Sequence, residues 1–424
     1  MRITGLEITD VRFPTSTFMD GSDAMNPDPD YSAAYVILRT DQSSVSGHGL
    51  TFTLGRGTEL CCAAINALAP RIVGLELDWI REDPGRFWRH IVSDSQLRWI
   101  GPEKGVVHMA TGALVNAIWD LWGRVERKPV WRVVADMSPE EIVRAIDFRY
   151  IRDALTPGEA LELLRQAQPG KAERLEHLSR TGYPCYTTSA GWIGYDDDRL
   201  RRLCQQAIDA GFWHLKLKVG GDRLDDVRRL SIARETMGPE RILLLDANQV
   251  WDVDEAIEWM AQLRFADPYF IEEPTCPDDV EGHRRIREAI APIRVATGEV
   301  CQNRVAFKQF LQRGAIDIVQ LDACRLGGLN EVLAVLLLSA KFDRPVWPHA
   351  GGVGLCEYVQ HIAAIDYLCV SGQMDGRVVE YVDHLHEHFV HPVVVSNAMY
   401  QLPTEPGFSI EMKQESLARF RFSG

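Results

Sequence analysis

The sequence predicts an α/β protein whose C-terminal half forms an eight-stranded (β/α) barrel. From about residue 183 onward, apolar strand-like runs alternate with amphipathic helical stretches. Most of these runs are almost continuously apolar, as expected of strands that are buried on both faces. Eight such units within about 200 residues fit a closed barrel better than an open, doubly wound sheet.

The eight predicted strands are short and regularly spaced. Helical stretches such as 254–264 and 329–341 separate them. In order, the strands are YPCYTTS (183–189), WHLKLKV (213–219), RILLLDAN (241–248), PYFIEEP (268–274), IRVATGE (293–299), DIVQLDA (317–323), PVWPHAG (345–351) and RVVEYVD (377–383).

The N-terminal part has a different texture. Residues 1–60 contain the β-like segments LEITDVRFP, SAAYVILRT and SVSGHGLTFT, and a long helical pattern follows at 105–127. The polar loop 16–31 separates the first strands, at a place suited to a lid over a substrate, although most such loops are surface connections. We therefore divide the chain into an N-terminal domain (1–150), a connecting helical segment (151–182), the barrel (183–384) and a tail (385–424) that packs on the N-terminal domain.

Composition excludes several classes of protein. Hydrophobic residues make up 46% and charged residues 25%, which is ordinary for a globular protein. The formal net charge of −14 argues against nucleic acid or an anionic membrane as a partner. The N-terminus has no signal-like apolar segment, and no apolar run is long enough to span a membrane. Nine cysteines without a CxxC pair indicate neither a disulfide framework nor a zinc site, so we expect a reduced, cytoplasmic protein.

Polar residues close seven consecutive predicted strands, and barrel active sites lie at the C-terminal ends of strands. These residues are Lys216 and Lys218, Asp246 with Asn248, Glu272 with Glu273, Glu299, Asp322, His349 and Glu380.

Three of these acids predict a metal site. Asp246, Glu272 and Glu299 are 26 and 27 residues apart, or about one repeat each. Adjacent strands lie ~4.8 Å apart, so equivalent end positions bring the carboxylates together. Oxygen ligands select a hard cation, Mg²⁺ ahead of Mn²⁺ or Ca²⁺. The alternative is three separate acids that are paired with bases or face solvent.

Strand alternation separates the neighbouring charges. Lys216 and Lys218 share one face, and each would lower the pKa of the other, which makes a neutral amine available as a base. The alternative is that both ammonium groups reach solvent. Glu272 and Glu273 point to opposite faces, so we assign Glu272 to the barrel mouth and expect Glu273 to pair with a structural partner, such as a basic residue outside the barrel.

Asp322 and His349 end neighbouring strands. An aspartate beside a histidine orients the imidazole and raises its pKa, which provides a general acid or base. The alternative is a purely structural histidine. A second histidine tract, HLHEHFVH at 384–391, lacks the spacing of a metal motif, and we interpret it as a surface or domain-junction segment.

Together, Lys-x-Lys, Asp-x-Asn, IEEPT, TGE and the following Asp and His on successive strand ends resemble the enolase superfamily, in its mandelate racemase subgroup. The resemblance covers essentially the whole chain. Four further stretches, DAMNPDPDYSAAYV, LRWIGPEKGVVH, PHAGGVGLCE and EYVDHLHEH, resemble the acid-sugar dehydratases of the L-fuconate type and their vertebrate relatives.

The resemblance implies a (β/α)7β modified TIM barrel under an α+β capping domain, which is built from the N-terminal region and the C-terminal tail. It implies that Lys218 is the base and His349 the acid, supported by Asp322. It implies one Mg²⁺ per subunit, replaceable by Mn²⁺, on Asp246, Glu272 and Glu299. The implied substrate-binding residues are Gly21, Ser22, Asp23, Tyr31, Lys216, Ala350, Gly351 and Glu380.

The implied reaction is removal of the proton next to a carboxylate and loss of the 3-hydroxyl, with L-fuconate as the expected substrate. The alternatives are another sugar acid, a racemase or epimerase, and a non-catalytic binding, regulatory or RNA-associated relative. The intact catalytic set and the acidic charge argue against the non-catalytic alternatives. We expect a small acid sugar as the only partner besides further copies of the chain in a homo-oligomer.

Overall fold

A computed structural model describes residues 1–101 and 103–423, and it begins with a three-stranded antiparallel sheet. The strands are β1 (Ile3–Arg12), β2 (Ser32–Thr40) and β3 (Gly47–Thr53), in the order β1-β2-β3. The helices that follow are α1 (Thr58–Leu68), α2 (Leu77–Glu82), α3 (Pro84–Ile91), α4 (Gly105–Glu126), α5 (Val130–Asp136), α6 (Pro139–Arg144), α7 (Pro157–Gln166) and α8 (Lys171–Thr181).

Helix α4 lies directly against this sheet because two glycines of β3 allow a close approach. A Cβ atom on Gly47 would lie 2.4 Å from the carbonyl oxygen of Ala117, and one on Gly49 would lie 2.3 Å from that of Ala113. Real side chains cannot occupy that space, so the sequence GHG of β3 fixes where α4 packs. The described residues contain no helix that is both long and apolar enough to cross a membrane.

The barrel strands are parallel and run in the order β10-β4-β5-β6-β7-β8-β9. They are β4 (Tyr183–Thr187), β5 (His214–Lys218), β6 (Ile242–Asp246), β7 (Pro268–Glu272), β8 (Arg294–Thr297), β9 (Ile318–Val319) and β10 (Val379–Tyr381). The helices between them are α9 (Asp197–Asp209), α10 (Arg223–Met237), α11 (Val253–Leu263), α12 (Val280–Ile290), α13 (Arg304–Arg313), α14 (Leu329–Lys341) and α15 (Leu355–Ile365).

The predicted seventh strand forms regular pairing on one side only. Residues 345–351 make a parallel bridge from Val346 to Val319, with backbone hydrogen bonds from Val319 N to the Pro345 oxygen, from Trp347 N to the Val319 oxygen and from His349 N to the Leu321 oxygen. Toward β10 there is one backbone bond, of 3.3 Å, from Glu380 N to the Pro348 oxygen, and Pro348 has no N–H to donate on that side. A continuous ladder of strand pairing therefore does not close the barrel, although the segment holds the seventh place around it.

One buried layer of side chains fills the interior of the barrel, and seven of the eight strand positions around the barrel each contribute one residue to it. Tyr186, Leu244, Phe270, Ala296, Ile318, Trp347 and Val378 form this buried cluster. Inward positions on a strand recur every two residues. The next inward positions after Leu244 and Phe270 are therefore Asp246 and Glu272, so an apolar floor lies beneath the polar mouth of the barrel.

The tail runs from the barrel to the N-terminal sheet and comprises β11 (Val395–Ser396), β12 (Met399–Tyr400) and α16 (Gln414–Phe420). Strand β12 pairs antiparallel with β4, and further along the Met412 amide donates to the Tyr35 hydroxyl at 3.0 Å. In the histidine tract, His386 contacts Glu357 at 2.7 Å and His388 stacks on Phe13. All nine cysteines are free thiols.

Candidate active site

A cavity of ≈ 440 Å³ lies between the C-terminal ends of the barrel strands and the N-terminal region. The loop before β2, the end of β3 and the start of α4 cover it. Its lining includes Gly21, Asp23, Tyr31, Lys218, Glu299, Asp322, His349, Gly351 and Glu380 among the residues singled out in the sequence.

The three predicted metal ligands lie together at the edge of this cavity. Strand register pairs Asp246 with Glu272, and Glu299 follows β8 by two residues. One carboxylate oxygen from each lies within 4.8 Å of the others. Glu272 Oε1 and Glu299 Oε2 are buried and accept no hydrogen bond from the described residues. Buried carboxylate oxygens that accept no hydrogen bond and are grouped at this distance fit a hard divalent cation such as Mg²⁺.

The pKa values of the two strand-end carboxylates, Glu272 and Asp246, are shifted in opposite directions. Burial raises the pKa of Glu272 well above its ordinary value, and the charge of Asp246 adds to that effect. Burial would raise the pKa of Asp246 too, but Lys218 and Lys216 outweigh it and hold this pKa below its ordinary value. Both groups lie at 0% exposure, so any negative charge on them needs positive charge close by, part of which Lys216 and Lys218 supply.

The pKa prediction for the two lysines is wrong in direction. Lys218 Nζ lies 2.5 Å from Asp246 Oδ2, and Lys216 Nζ lies 2.7 Å from Glu272 Oε2. Burial would lower the pKa of each ammonium group, but the adjacent carboxylates outweigh it and raise both pKa values. Lys216 does lower the pKa of Lys218, as expected, but by less than Asp246 raises it. Contacts with carboxylates on other strands therefore decide the direction in which each lysine pKa shifts.

Lys216 lies beneath the cavity and is not part of its wall. Its side chain is fully buried, and its ammonium group also lies 2.8 Å from Glu380 Oε1. Glu380 Oε2 accepts the backbone N–H of Ala350 at 2.8 Å. Burial would raise the pKa of Glu380, but Lys216 and His349 hold it below its ordinary value. Lys216 thus forms ion pairs with carboxylates from two different strand ends, Glu272 and Glu380. The backbone N–H of Ala350, which was expected to bind substrate, instead donates to Glu380.

Glu273 has a structural partner, as expected, but among the described residues that partner is an amide and not a base outside the barrel. Its φ of 43° breaks the strand geometry immediately after Glu272, and strict alternation of faces stops there. Its partner is Gln249, whose Nε2 donates to Glu273 Oε2 at 2.6 Å. Burial raises the pKa of Glu273, and the charges of Glu299 and Asp246 raise it further. Both glutamates of the pair are therefore buried close to the acid cluster.

His349 lies among three acids. Its Nδ1 contacts Asp322 Oδ2 at 2.7 Å, and its Nε2 lies 3.4 Å from Glu299 Oε2 and 3.8 Å from Glu380 Oε2. Burial would lower the pKa of this imidazole, but Glu299, Asp322 and Glu380 together raise it to about 10. At neutral pH this pKa makes the ring an imidazolium ion. Because Nδ1 is bound to Asp322, Nε2 faces the other two acids, and the Gly351 backbone nitrogen lies 3.2 Å from it.

The loop before β2 contributes three of its four expected residues to the cavity wall. Gly21, Asp23 and Tyr31 line the cavity, whereas the Ser22 hydroxyl donates to the Pro27 oxygen at 2.8 Å within the loop. A Cβ atom on Gly21 would lie 2.5 Å from the Tyr31 ring, and φ at Gly21 is +87°. Only glycine fits there, so the Tyr31 ring is held by the backbone that faces it.

Several cavity residues escaped the sequence reasoning. Gln249 directly follows the predicted strand that ends at Asn248, and this position is the signal that could have identified it; Asn248 itself was noted at the strand end and also lines the cavity. Arg325 follows Asp322 by three residues in the same loop, and Met109 lies on the long helix α4 with no local signal. Met109 is therefore identified only once α4 is packed over the barrel.

Two family models match the chain. The one described as mandelate racemase / muconate lactonizing enzyme, N-terminal domain, matches residues 27–134. The one described as enolase C-terminal domain-like matches residues 199–416, which is more than half of the chain.

Individual proteins match over the whole length. L-galactonate dehydratase of Hypocrea jecorina is 58% identical over 427 residues, which cover 100% of this chain and 94% of that protein. Human mitochondrial enolase superfamily member 1 has a crystal structure that is 54% identical, with a TM-score of 0.98 over 99% of this chain and 96% of that one. The structure of L-talarate/galactarate dehydratase from Salmonella typhimurium LT2, liganded with Mg and L-lyxarohydroxamate, has a TM-score of 0.76 at 21% identity. It covers 100% of this chain and 93% of that one, a likeness of fold alone.

Proposed function

We propose that this chain, which belongs to the enolase superfamily and within it to the mandelate racemase subgroup, is a magnesium-dependent dehydratase of acid sugars. The observation that carries the proposal is a single cavity lined by Lys218 and His349, with three acids grouped at its edge. Lys218 and His349 come from non-adjacent positions around the barrel, so they can act on different faces of one substrate.

Lys218 must first lose its own proton, and a cation held by Asp246 would favour that loss because it would compete with the ammonium group for this carboxylate. As a neutral amine, Lys218 then takes the proton from the carbon next to the substrate carboxylate. His349 donates its Nε2 proton to the departing 3-hydroxyl, which leaves as water, and the resulting enol tautomerises to a 2-keto-3-deoxy acid. Asp322 holds the imidazole through Nδ1 at 2.7 Å and keeps it protonated. A Mg²⁺ ion held by Asp246, Glu272 and Glu299 would supply positive charge that stabilises the negative charge developing on the substrate carboxylate.

The proposed substrate is a six-carbon aldonic acid. The sequence resemblance favours L-fuconate, and the relative from Hypocrea jecorina bears the name of L-galactonate dehydratase. These two acids share their stereochemistry and differ only in the hydroxyl at C6, so one cavity can take both. Tyr31, Asp23 and Gly351 line the cavity and can contact the sugar, and Glu380 reaches it beside His349.

Several features belong to the proposal and have separate tests. Residues 1–150 with the tail 385–424 would form the cap, 183–384 the catalytic barrel and 151–182 the connection. Mn²⁺ would replace Mg²⁺ in the assay, because both are hard cations that accept oxygen ligands. Size-exclusion chromatography with light scattering tests the expected homo-oligomer, and cell fractionation tests the cytoplasmic location.

The decisive experiment incubates the protein with Mg²⁺ and a panel of sugar acids that includes L-fuconate and L-galactonate, and it scores 2-keto acid formation. We expect turnover that is lost with a chelator and restored by Mg²⁺. Lys218→Ala and His349→Asn should each lower kcat by at least about 10²-fold, the usual contribution of a general acid or base. The controls are Lys341→Ala and His391→Asn, which lie outside the cavity. Near-wild-type turnover in either cavity variant contradicts the mechanism.

A racemase or epimerase is the second candidate, because Lys218 and His349 could also exchange a proton between the two faces of one carbon. Mass spectrometry of the product separates the two reactions. Dehydration lowers the mass by one water, whereas epimerisation leaves the mass unchanged.

A further inference from the structure

Among the residues that the structure describes, Arg325 is the cation of the cavity wall that has no carboxylate partner. The other two cations on the wall are paired, Lys218 with Asp246 at 2.5 Å and His349 with Asp322 at 2.7 Å. Within 1–101 and 103–423, no carboxylate lies in ion-pair contact with the Arg325 guanidinium. Its one polar side-chain contact there is from Nη1 to Met109 Sδ, at 3.7 Å. A half-buried guanidinium group therefore faces the cavity, and most of its N–H donors have no acceptor among the described residues.

The backbone of Arg325 is fixed by the acid that positions His349. Asp322 Oδ1 accepts the backbone N–H groups of Cys324 and Arg325 at 2.7 Å each, while its Oδ2 contacts the imidazole. The main chain of Arg325 is thus held at the reaction centre, and its side chain extends to Met109 on α4. It makes no ion pair with Glu299 or with Asp322, although both line the same cavity. The cavity therefore has a second cationic region, where the barrel meets the cap.

We propose that Arg325 is a specificity-determining residue that binds the oxygen atoms of the acid sugar at the end remote from the reacting carboxylate. This inference rests on the proposed function. When a ligand covers a guanidinium and displaces its water, the donors need new acceptors. A substrate with an oxygen at C6 supplies one, whereas a 6-deoxy substrate places a methyl group there.

L-galactonate and L-fuconate isolate this contact, because L-fuconate is the 6-deoxy form of L-galactonate. A site that donates a hydrogen bond to a substrate hydroxyl rejects the analogue that lacks it, because the buried donor is left unpaired. We expect kcat/KM of the wild-type protein to favour L-galactonate by about tenfold or more. A six-carbon diacid would place a carboxylate at the same point and could pair with the guanidinium through two bonds.

The test compares Arg325→Met and Arg325→Lys with the wild type on both acids in the presence of Mg²⁺. Arg325→Met should bring the ratio of kcat/KM values close to one by losing L-galactonate turnover, while L-fuconate turnover stays within about threefold. Arg325→Lys, which keeps the charge but not the planar fork, should give an intermediate ratio. The matched control is Arg152→Met, which removes an exposed guanidinium outside the cavity and should leave the ratio unchanged.

The outcomes separate this inference from the proposed function. An unchanged ratio in Arg325→Met, or an equal loss on both acids, overturns the inference while the dehydratase function stands. If the wild-type protein dehydrates neither acid, the proposed function fails, and calorimetric titration of both acids into wild type and Arg325→Met then tests the inference directly. Preferential binding of L-galactonate that disappears in the variant supports it, and equal binding of the two acids to the wild type overturns it.

Discussion

Glu331 on α14 joins the barrel to the cap through a buried network of charges, and Glu331→Gln is expected to weaken that junction. Its carboxylate accepts from His108 of α4 at 2.6 Å, from the Arg304 backbone and side chain at 3.0 and 2.9 Å, and from the Gly327 backbone at 2.7 Å. Glutamine has nearly the same volume, so the change removes the charge and leaves the packing. Both ends of this network adjoin the cavity, since α4 carries Met109 and α13 begins five residues after Glu299.

Two estimates of the lost stability agree. Removing one partner of a buried ion pair costs about 3–5 kcal/mol because the other charge stays buried. In the variant, Arg304 still has two carboxylates close by, Asp147 at 3.5 Å and Glu103 at 4.0 Å. Its charge is therefore not left without a partner, and we expect a loss at the low end of that range. Burial would raise the pKa of Glu331, but His108 and Arg304 outweigh it and lower this pKa from 4.5 to about 2. A shift of that size corresponds to about 3 kcal/mol.

Urea unfolding of wild type and Glu331→Gln at several pH values measures this effect. A carboxyl group whose folded pKa is lowered contributes stability above its unfolded pKa of 4.5, and loses it as the pH falls toward 2. The variant should be about 3 kcal/mol less stable at pH 7 and at pH 5.5. Below pH 4.5 the difference should shrink by about 1.4 kcal/mol per pH unit.

The control is Glu288→Gln, which removes an exposed partner of Arg284 and should change stability by less than about 0.5 kcal/mol. A wild-type advantage under about 1 kcal/mol at pH 7 would refute the reasoning. So would an advantage that stays constant through the acid range, because the ionised Glu331 carboxylate could not then be its source.

Two further predictions concern the cap and its junction. Gly21→Ala places a Cβ atom 2.5 Å from the Tyr31 ring, so steady-state kinetics should show kcat/KM for the sugar acid reduced by about 10²-fold. Gly57→Ala, which has a similar positive φ but open surroundings, should keep its activity, and equal losses in both variants would contradict a role for Tyr31. His386→Gln should destabilise the protein by about 2 kcal/mol in thermal or urea unfolding, through loss of the 2.7 Å contact with Glu357. Burial would lower the pKa of His386, but Glu357 outweighs it and raises this pKa to about 12. The stability difference between wild type and variant should therefore have its full size below pH 6.5 and should decline as the pH rises toward 12. A difference that grows with pH would contradict it.

The periodic pattern of the barrel was predictable because it is local. Buried parallel strands read as apolar runs, and the predicted strand 241–248 contains the whole of β6 (Ile242–Asp246) but extends two residues beyond its end. The run at 345–351 looked the same by composition, but it pairs regularly only with the β9 segment, because Pro348 has no N–H to donate toward β10. The alternation rule held for Glu272, inside β7, and failed one residue later, where the backbone of Glu273 leaves the strand.

The sequence by itself determined which residues stand at the strand ends. That order follows from the repeat, and register then brings Asp246, Glu272 and Glu299 together. Only the tertiary structure decided what each charged group meets, because contacts between distant segments set burial and pairing. It raised the pKa of Lys218 against the expected direction, buried Lys216 under the cavity and gave Glu273 an amide partner. It also left Arg325 facing the cavity without a carboxylate among the residues described.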